Sequence, residues 1–289
     1  MPEPEYYFRF ESYEYQPQQS LRLLNRIKGD RPYINLILFL LTILTTYLVN
    51  GISYSISIVS ILLAHEMGHY LMCRKYGIAA TLPYFIPVPF APFGTMGAFI
   101  KMKERIPDRR ALFDVGVAGP LAGLTLTIPV LILGLKNSQF VRLDSLPGES
   151  LFLGESLLFS QLAKLILGTP PEGYDTALHP MAYAGWAGLF VTALNLLPIG
   201  QLDGGHVLYA LFGHHSQRIF KLTMAAFIIV AAFFYPGWLV MIVLLLLLGF
   251  HHPAPENDYI QLDKKRRIIG YGTFVIFVVS FIPVPFYFR

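Results

Sequence analysis

The chain has 289 residues, of which 54% are hydrophobic and 14% are charged, and its formal net charge at pH 7 is +4. A soluble domain carries about 25% charged residues, so this composition excludes an ordinary soluble globule and indicates a polytopic membrane protein. The positive charge lies in short clusters beside apolar runs, which suits anionic lipid headgroups, and the sequence contains no nucleic-acid-binding motif.

Residues 1–31 are predicted to form a cytosolic N-terminal segment. Residues 1–20 are acidic and aromatic, and they show neither the basic start and apolar core of a signal peptide nor the arginine-rich composition of a transit peptide. Four basic residues then precede the first apolar run, and short loops rich in Lys and Arg stay on the cytoplasmic side. We therefore expect an inside N-terminus in a bacterial inner membrane, with a thylakoid membrane as the alternative.

Seven apolar segments are predicted to cross the membrane, which takes about 20 residues for a helix. Residues 32–64 hold no charge and are interrupted by Asn50-Gly51, a turn signal that divides this run into two spans. A further apolar segment, 151–167, carries Glu155 and Lys164 and is predicted to be an amphipathic helix on the outer face. The predicted spans are 33–49, 52–73, 112–135, 181–197, 219–235, 238–250 and 268–286. The expected fold class is an all-α polytopic membrane protein with about seven transmembrane helices.

Residues 82–101 are apolar, but their prolines exclude a continuous helix. Non-helical backbone at membrane depth is tolerated only where protein buries it or where it lines a water-filled cavity. We predict a re-entrant loop beside a hydrolytic site, with an edge strand over 94–100 on which an unwound substrate pairs through the region of Gly94 and Gly97. The alternative is a loop that serves packing alone.

The second predicted span carries His65-Glu66-Met67-Gly68-His69, an H-E-x-x-H pattern. Residues four apart share one face of a helix, so His65 and His69 can bind one ion while Glu66 handles protons. Ionisable residues inside a span are costly, at roughly 2.5–3.5 kcal/mol for Asp, Lys or Arg on insertion scales, which favours a functional cluster over a chance match. Because Cys73 is the single cysteine, a metal site must use histidine and carboxylate ligands, and zinc favours this set.

Asp203 is the best candidate for a third ligand, because a catalytic zinc usually has three protein ligands and one open position. It lies where the fourth span runs into Pro198 and several glycines, which end a helix and let a carboxylate turn inward. Spans two and four both run from outside to inside, so His65 and Asp203 arrive at the same face. If 151–167 crossed the membrane, Asp203 would lie on the opposite face. His206 is expected beside the ligands, and the remaining histidines are expected to be solvated or to start a helix.

An H-E-x-x-H span followed by N-x-x-P-x-x-x-x-D-G, here from Asn195 to Gly204, resembles the site-2 protease family of intramembrane metallopeptidases. The segments 93–99 and 109–123, the second with Asp114, resemble the branch found in cyanobacteria, chloroplasts and many other bacteria. The similarity covers about residues 52–206. The resemblance implies that His65, His69 and Asp203 bind one zinc per chain and that Glu66 is the catalytic acid/base.

The expected function is zinc-dependent hydrolysis of peptide bonds within or near the transmembrane segments of membrane-protein substrates. Glu66 would take a proton from the attacking water and return it to the leaving amine, and Asn195 would hydrogen-bond the oxyanion or the substrate backbone. Helix packing is an equally good explanation for Asn195. The runner-up is another membrane zinc peptidase, such as the type that trims prenylated proteins, and a zinc transporter is the third alternative. Residues 32–206 are expected to form the catalytic core and 207–289 to form C-terminal transmembrane helices that serve as a gate.

Overall fold

The computed structural model describes residues 31–89, 92–145, 148, 150–248 and 254–288. Within these residues the chain is mostly helical, with a few short strands. The helices are α1 (Pro32–Lys75), α2 (Arg109–Lys136), α3 (Leu157–Leu167), α4 (Pro180–Asn195), α5 (Asp203–Phe212), α6 (Ser216–Phe233), α7 (Trp238–Leu248) and α8 (Lys264–Ser280). The strands are β1 (Tyr84–Pro87), β2 (Thr95–Phe99), β3 (Gln139–Arg142), β4 (Leu151–Leu153), β5 (Tyr174–Ala177) and β6 (Phe286–Phe288).

Among the described residues, three helical stretches are long and apolar enough to cross a membrane. They are Pro32–Lys75, Arg109–Lys136 and Asp203–Phe233, the last of which joins α5 and α6 through a short 3-10 turn. The predicted N-terminal segment lies outside the described residues except for Arg31, as do His251 and His252.

α1 is a hairpin of two helical arms, 32–50 and 52–75. Gly51 has φ 78° and ψ 179°, a conformation that residues other than glycine rarely adopt, and it interrupts the helix. Ser55 Oγ donates to the carbonyl oxygen of Ile43 at 3.0 Å and lies 2.7 Å from Thr46 Oγ1. Residues separated by 12 positions in a straight helix would be about 18 Å apart, so the arms fold back on each other. The break predicted at Asn50-Gly51 is confirmed.

The proline-rich segment 82–101 is not helical over its described residues, 82–89 and 92–101, as predicted, and it includes the antiparallel pair β1–β2. Side chains of the first arm of α1 donate to the backbone just before each strand. Asn35 Nδ2 donates to the carbonyl oxygen of Pro83 at 3.0 Å, and Thr45 Oγ1 donates to that of Gly94 at 2.7 Å. The bond from Asn35 provides a partner for the carbonyl of Pro83, whereas the carbonyl of Gly94 also accepts the N–H of Val88 at 3.2 Å. Gly94 has φ 70°, and a side chain there would meet the backbone of the arm.

α2 packs closely against the second arm of α1 and against α4. A Cβ atom at Gly68 would lie 2.4 Å from the carbonyl oxygen of Ala118, and one at Gly185 would lie 2.7 Å from Cα of Leu131. Small residues at these crossings let the helix backbones approach, as is typical of helices that pack in membranes. α2 is therefore the central helix of the fold, and it fixes the positions of its two neighbours.

The prediction of one amphipathic helix over 151–167 is wrong in its first part. Leu151–Leu153 forms β4, which pairs with β6, and α3 begins after Ser156, whose side chain accepts a hydrogen bond from the N–H of Phe159 at 3.2 Å. At about 1.5 Å per residue, the 11 residues of α3 extend roughly 16 Å, about half the thickness of a bilayer core. The helix is therefore too short to cross along its axis.

The last predicted span, 268–286, is wrong at both ends. α8 begins at Lys264 and ends at Ser280, and the chain then continues extended into β6. Pro283 and Pro285 explain the early end, because proline cannot continue a helix. The other predicted spans agree with α2, α4, α6 and α7 to within a few residues, and the separation of α6 from α7 at Pro236 is confirmed.

Arg266, at the start of α8, links this helix to α2 and to the end of α1. Its Nε and Nη2 atoms donate to the two carboxylate oxygens of Asp114 at 2.8 and 2.7 Å, and the hydroxyl of Tyr76 donates to Asp114 at 2.5 Å. The Asp114 side chain is only 14% exposed, which makes this a partly buried, bidentate ion pair. Burial, together with the hydrogen bond to Asp114, raises the pKa of Tyr76 to about 12, so the hydroxyl stays protonated and donates at physiological pH.

Replacing Arg266 by Gln is expected to destabilise the fold by about 2 kcal/mol, because it leaves the Asp114 carboxylate without its charged donor. In a domain of this size that loss lowers the thermal midpoint by about 4 °C or more, which unfolding of the purified chain in detergent measures. Arg267→Gln is the matched control, since within the described residues the Arg267 side chain bonds only to the exposed Gln261, at 3.5 Å. Equal midpoints for the two variants would contradict a structural role for the Arg266–Asp114 pair.

Candidate metal centre

Three acceptor atoms converge between α1 and α5. His65 and His69 lie on the second arm of α1, and Asp203 is the first residue of α5. The two histidine Nε2 atoms are 3.2 Å apart, and Asp203 Oδ2 lies 3.3 Å from that of His65 and 3.2 Å from that of His69. The structure thus brings the three predicted ligands together as a nearly equilateral triangle of atoms that can hold a metal ion.

The protonation of these histidines follows from their other contacts. His69 Nδ1 lies 2.9 Å from the carbonyl oxygen of Val115, which can only accept, so in the neutral ring Nδ1 carries the proton and Nε2 presents a lone pair. The amide nitrogen of Asn195 lies 3.2 Å from His65 Nε2 and is a donor, so this nitrogen also presents a lone pair. Two lone pairs and a carboxylate oxygen therefore face one another, an arrangement that a cation stabilises.

The size of the triangle fits zinc. Bonds of about 2.0–2.1 Å in tetrahedral geometry place neighbouring ligand atoms about 3.3–3.4 Å apart, close to the observed 3.2–3.3 Å. Two imidazoles and one carboxylate are an uncommon set for Mg²⁺ or Ca²⁺, which prefer oxygen ligands. The residues present therefore fit a zinc ion with one position left open.

Glu66 lies beside the triangle and is only 6% exposed. Ile100, directly after β2, lines the same cavity as its carboxylate. A cavity of about 220 Å³ opens onto these groups and is also lined by Ala98, Phe99, Ile100, Asn195, Gln201 and His206. A helix is about 10–12 Å wide with its side chains, so this cavity suits an extended peptide and not an intact helix.

Gly94 and Gly97 were predicted to contact the substrate, but neither is among the described residues that line the cavity. Both lie in or next to β2, but the residues of this strand that line the described part of the cavity are Ala98 and Phe99, followed by Ile100. His206 lines the cavity, as its position after Asp203 indicated. The role of Val115 was not predicted, because it acts through a backbone carbonyl and its apolar side chain gives no signal in the sequence.

Glycines of α2 provide the space in which the imidazoles lie. A Cβ atom at Gly119 would lie 2.0 Å from His69 Nε2, whereas one at Gly123 would lie 3.4 Å from the nearest atoms of His65. The first position cannot hold a side chain without displacing His69. The second is at ordinary van der Waals distance. The close packing of α2 on α1 therefore has a direct effect on the metal centre.

Gly119→Ala is expected to lose most of the bound zinc, because the new methyl group would occupy the position of His69 Nε2. Alanine is otherwise favoured over glycine inside a helix by about 1 kcal/mol, so a loss cannot come from helix propensity. Gly123→Ala is the control and is expected to keep its zinc. Metal content of the purified variants, measured per chain, tests both, and equal zinc in the two variants would contradict this packing argument.

Fold and site together define a helical membrane protein with a His-His-Asp cluster that can hold a metal ion. Residues 53–236, more than half of the chain, match the model of peptidase family M50. The chain belongs to this family, and the resemblance to site-2 proteases is confirmed.

Three curated relatives illustrate the similarity. The chain is 33% identical over 248 residues to the probable zinc metalloprotease EGY2, chloroplastic, of Oryza sativa subsp. indica, covering 82% of this chain and 43% of the relative. It is 35% identical over 186 residues to EGY1 of Oryza sativa subsp. japonica, covering 63% of this chain and 31% of the relative. It is 34% identical over 169 residues to EGY1 of Arabidopsis thaliana, covering 57% of this chain and 30% of the relative. The chain thus spans less than half the length of these relatives, and their names agree with zinc as the metal.

Proposed function

We propose that the chain is an intramembrane zinc-dependent endopeptidase that hydrolyses peptide bonds within or near the transmembrane segments of membrane proteins. The observation that carries this proposal is the convergence of His65, His69 and Asp203 beside Glu66 within an apolar helical fold. The surface around it suits lipid, since Leu48 is 66% exposed and Val240 is 76% exposed. A hydrolytic site inside a protein with such a surface is accessible to substrates that are themselves in the bilayer.

We further propose seven membrane crossings, with the two arms of α1 as the first two and the metal centre near the cytosolic face. Basic residues support this orientation: Lys75 ends the second arm, Arg109 begins α2 and Lys264 begins α8. The contacts of Arg266 with Asp114 and Tyr76 hold these three ends together. The division into a core over 32–206 and a gate over 207–289 belongs to the same proposal. A bacterial inner membrane is the proposed host, and the chloroplastic names of the relatives support the thylakoid alternative.

In this proposal His65, His69 and Asp203 hold the zinc and Glu66 is the catalytic acid/base. When bound, zinc lowers the pKa of water and polarises a peptide carbonyl. Glu66 takes the proton of the attacking water and delivers it to the leaving nitrogen. The neutral imidazole of His69 is kept in one tautomer by Val115, so its Nε2 remains available as a ligand.

The substrate is proposed to bind as an extended segment along β2. Within the described residues β2 pairs only with β1, so the other edge of β2 is available for a substrate strand. Residues 98–100 of this hairpin line the cavity beside Glu66, so a strand on this edge places its backbone next to the metal centre. Asn195 lies within reach of the same place, 3.2 Å from His65, and is proposed to hydrogen-bond the substrate carbonyl.

Glu66→Gln is expected to keep about one zinc per chain and to stop cleavage, because glutamine keeps the size of the side chain and cannot accept the proton. Asp203→Ala is expected to lose zinc, because it removes one of three protein ligands. Zinc content and cleavage of a single-span test substrate in liposomes measure both effects, with the native chain as the reference.

The same measurements separate the alternatives. Zinc that crosses the liposome membrane, with no cleavage of varied substrates, would replace the peptidase by a zinc transporter. Full zinc retention by Asp203→Ala would remove its role as ligand and favour another membrane zinc peptidase, such as the prenyl-protein type.

Asn195→Ala is expected to lower turnover by about 10²–10³-fold, the usual cost of losing one donor to the oxyanion, with zinc content unchanged. Measured zinc distinguishes this outcome from a disturbed His65, which the amide also contacts. Unchanged turnover would leave Asn195 as a packing residue between helices.

A further inference from the structure

A second cavity, here called the outer groove, lies far from the metal centre. It has a volume of about 680 Å³ and is lined by the α1 turn at Asn50, by β4 and β5, and by side chains of α3 and α4 that include Phe159 and Tyr183. Cavities of about 300–1,000 Å³ are typical of ligand sites. His65 follows Asn50 by 15 positions on a helical arm, so roughly 22 Å separates the groove from the nearest metal-binding residue.

The groove meets the edges of two strands. All three residues of Leu151–Leu153 line it, and so do three consecutive residues of β5, Asp175, Thr176 and Ala177. Successive side chains of a strand point to opposite faces, so a cavity that contacts three in a row runs along the strand's edge. Within the described chain β4 pairs with β6 alone and β5 with β3 alone, which leaves one edge of each strand for an added strand.

The charge of the groove is negative. Glu155 and Asp175 line it, and the described lining residues include no Lys or Arg. Neither carboxylate forms an ion pair within the described residues, where Asp175 Oδ1 accepts the N–H of Thr176 at 2.6 Å. The rest of the lining is mainly apolar, with residues such as Leu153 and Phe159. An extended segment that alternates apolar and basic side chains complements this combination of strand edges, apolar walls and carboxylates.

We propose that the outer groove binds an extended, Lys- or Arg-bearing segment of the substrate that flanks its transmembrane helix on the side opposite the cut. This inference rests on the proposed endopeptidase function. One substrate can reach both places, because a helix spans the hydrocarbon core of about 30 Å and the groove and the metal centre are separated by a comparable distance. Basic residues are less frequent on the outer side of membrane proteins, so such a segment would distinguish substrates from other spans.

Binding tests the groove independently of catalysis. The Glu66→Gln chain is titrated, in detergent, with fluorescent single-span peptides whose outer segment is Val-Lys-Val-Lys-Val, Val-Glu-Val-Glu-Val or absent. The lysine peptide is expected to bind about 5-fold more tightly than the glutamate peptide, because its two lysines can form partly exposed ion pairs with Glu155 and Asp175. Adding Glu155→Gln and Asp175→Asn is expected to remove most of this difference. Replacing the valines by proline, which cannot donate to a strand edge, is expected to weaken binding of the lysine peptide.

Glu172→Gln is the matched control, because Glu172 is an exposed acid between α3 and β5 and is not among the groove residues. In the active chain, the groove variants are expected to raise KM for the lysine substrate about 5-fold with kcat unchanged, and to leave the substrate without an outer segment unaffected. Equal affinity for lysine and glutamate peptides would overturn the proposal. So would an equal loss in Glu172→Gln, or affinity that depends on added lipid and not on the segment.

The two proposals can fail separately. If the lysine peptide binds as expected and the active chain cuts none of the three substrates, the peptidase function is wrong, and the groove is then a binding site for basic segments without a role in cleavage. If all three substrates are cut with the same KM, the peptidase function stands and the groove proposal is wrong.

Discussion

Two imidazole nitrogens and a carboxylate oxygen lie within 3.3 Å of one another in the interior of this protein, and in the forms that bind a metal none of them carries a proton. That arrangement is unfavourable without a cation, and it is costly to build where water is excluded. His65 and His69 have little freedom to avoid it, since both project from the same face of one helical arm. The fold must therefore hold Asp203 and the two histidines in place against their mutual repulsion.

Several features of the fold provide that support. Gly51 turns α1 back on itself, so the first arm can bind the β1–β2 hairpin that faces the site. α2 contributes two features to His69. The carbonyl of Val115 accepts a hydrogen bond from Nδ1, and the absence of a side chain at Gly119 leaves room for the imidazole ring. α4 ends at Asn195, and the chain then turns so that α5 starts with Asp203. Each element thus contributes a group that the metal centre needs, and no single helix builds the centre.

Much of the metal centre can be predicted from the sequence, because it depends on short-range rules. The spacing of His65 and His69 determines their common face, and the charge pattern predicts that Asp203 lies on the same side of the membrane. Long-range pairing has no such signal. The strand at Leu151–Leu153 is not recognisable from its own residues, because its apolar side chains also fit a helix and its partner β6 lies more than 130 positions away. The contact of Val115 was missed for a related reason, since every residue has a carbonyl and only the packing selects one.

X-ray absorption at the zinc edge of the purified, zinc-loaded chain tests whether two histidines and a carboxylate bind the metal. We expect one zinc with four nitrogen or oxygen ligands at about 2.0–2.1 Å, including the outer-shell scattering of two imidazoles, and no sulfur. A sulfur ligand at about 2.3 Å would have to come from Cys73 or a methionine and would contradict the His-His-Asp centre. A six-coordinate ion without imidazole scattering would contradict it as well.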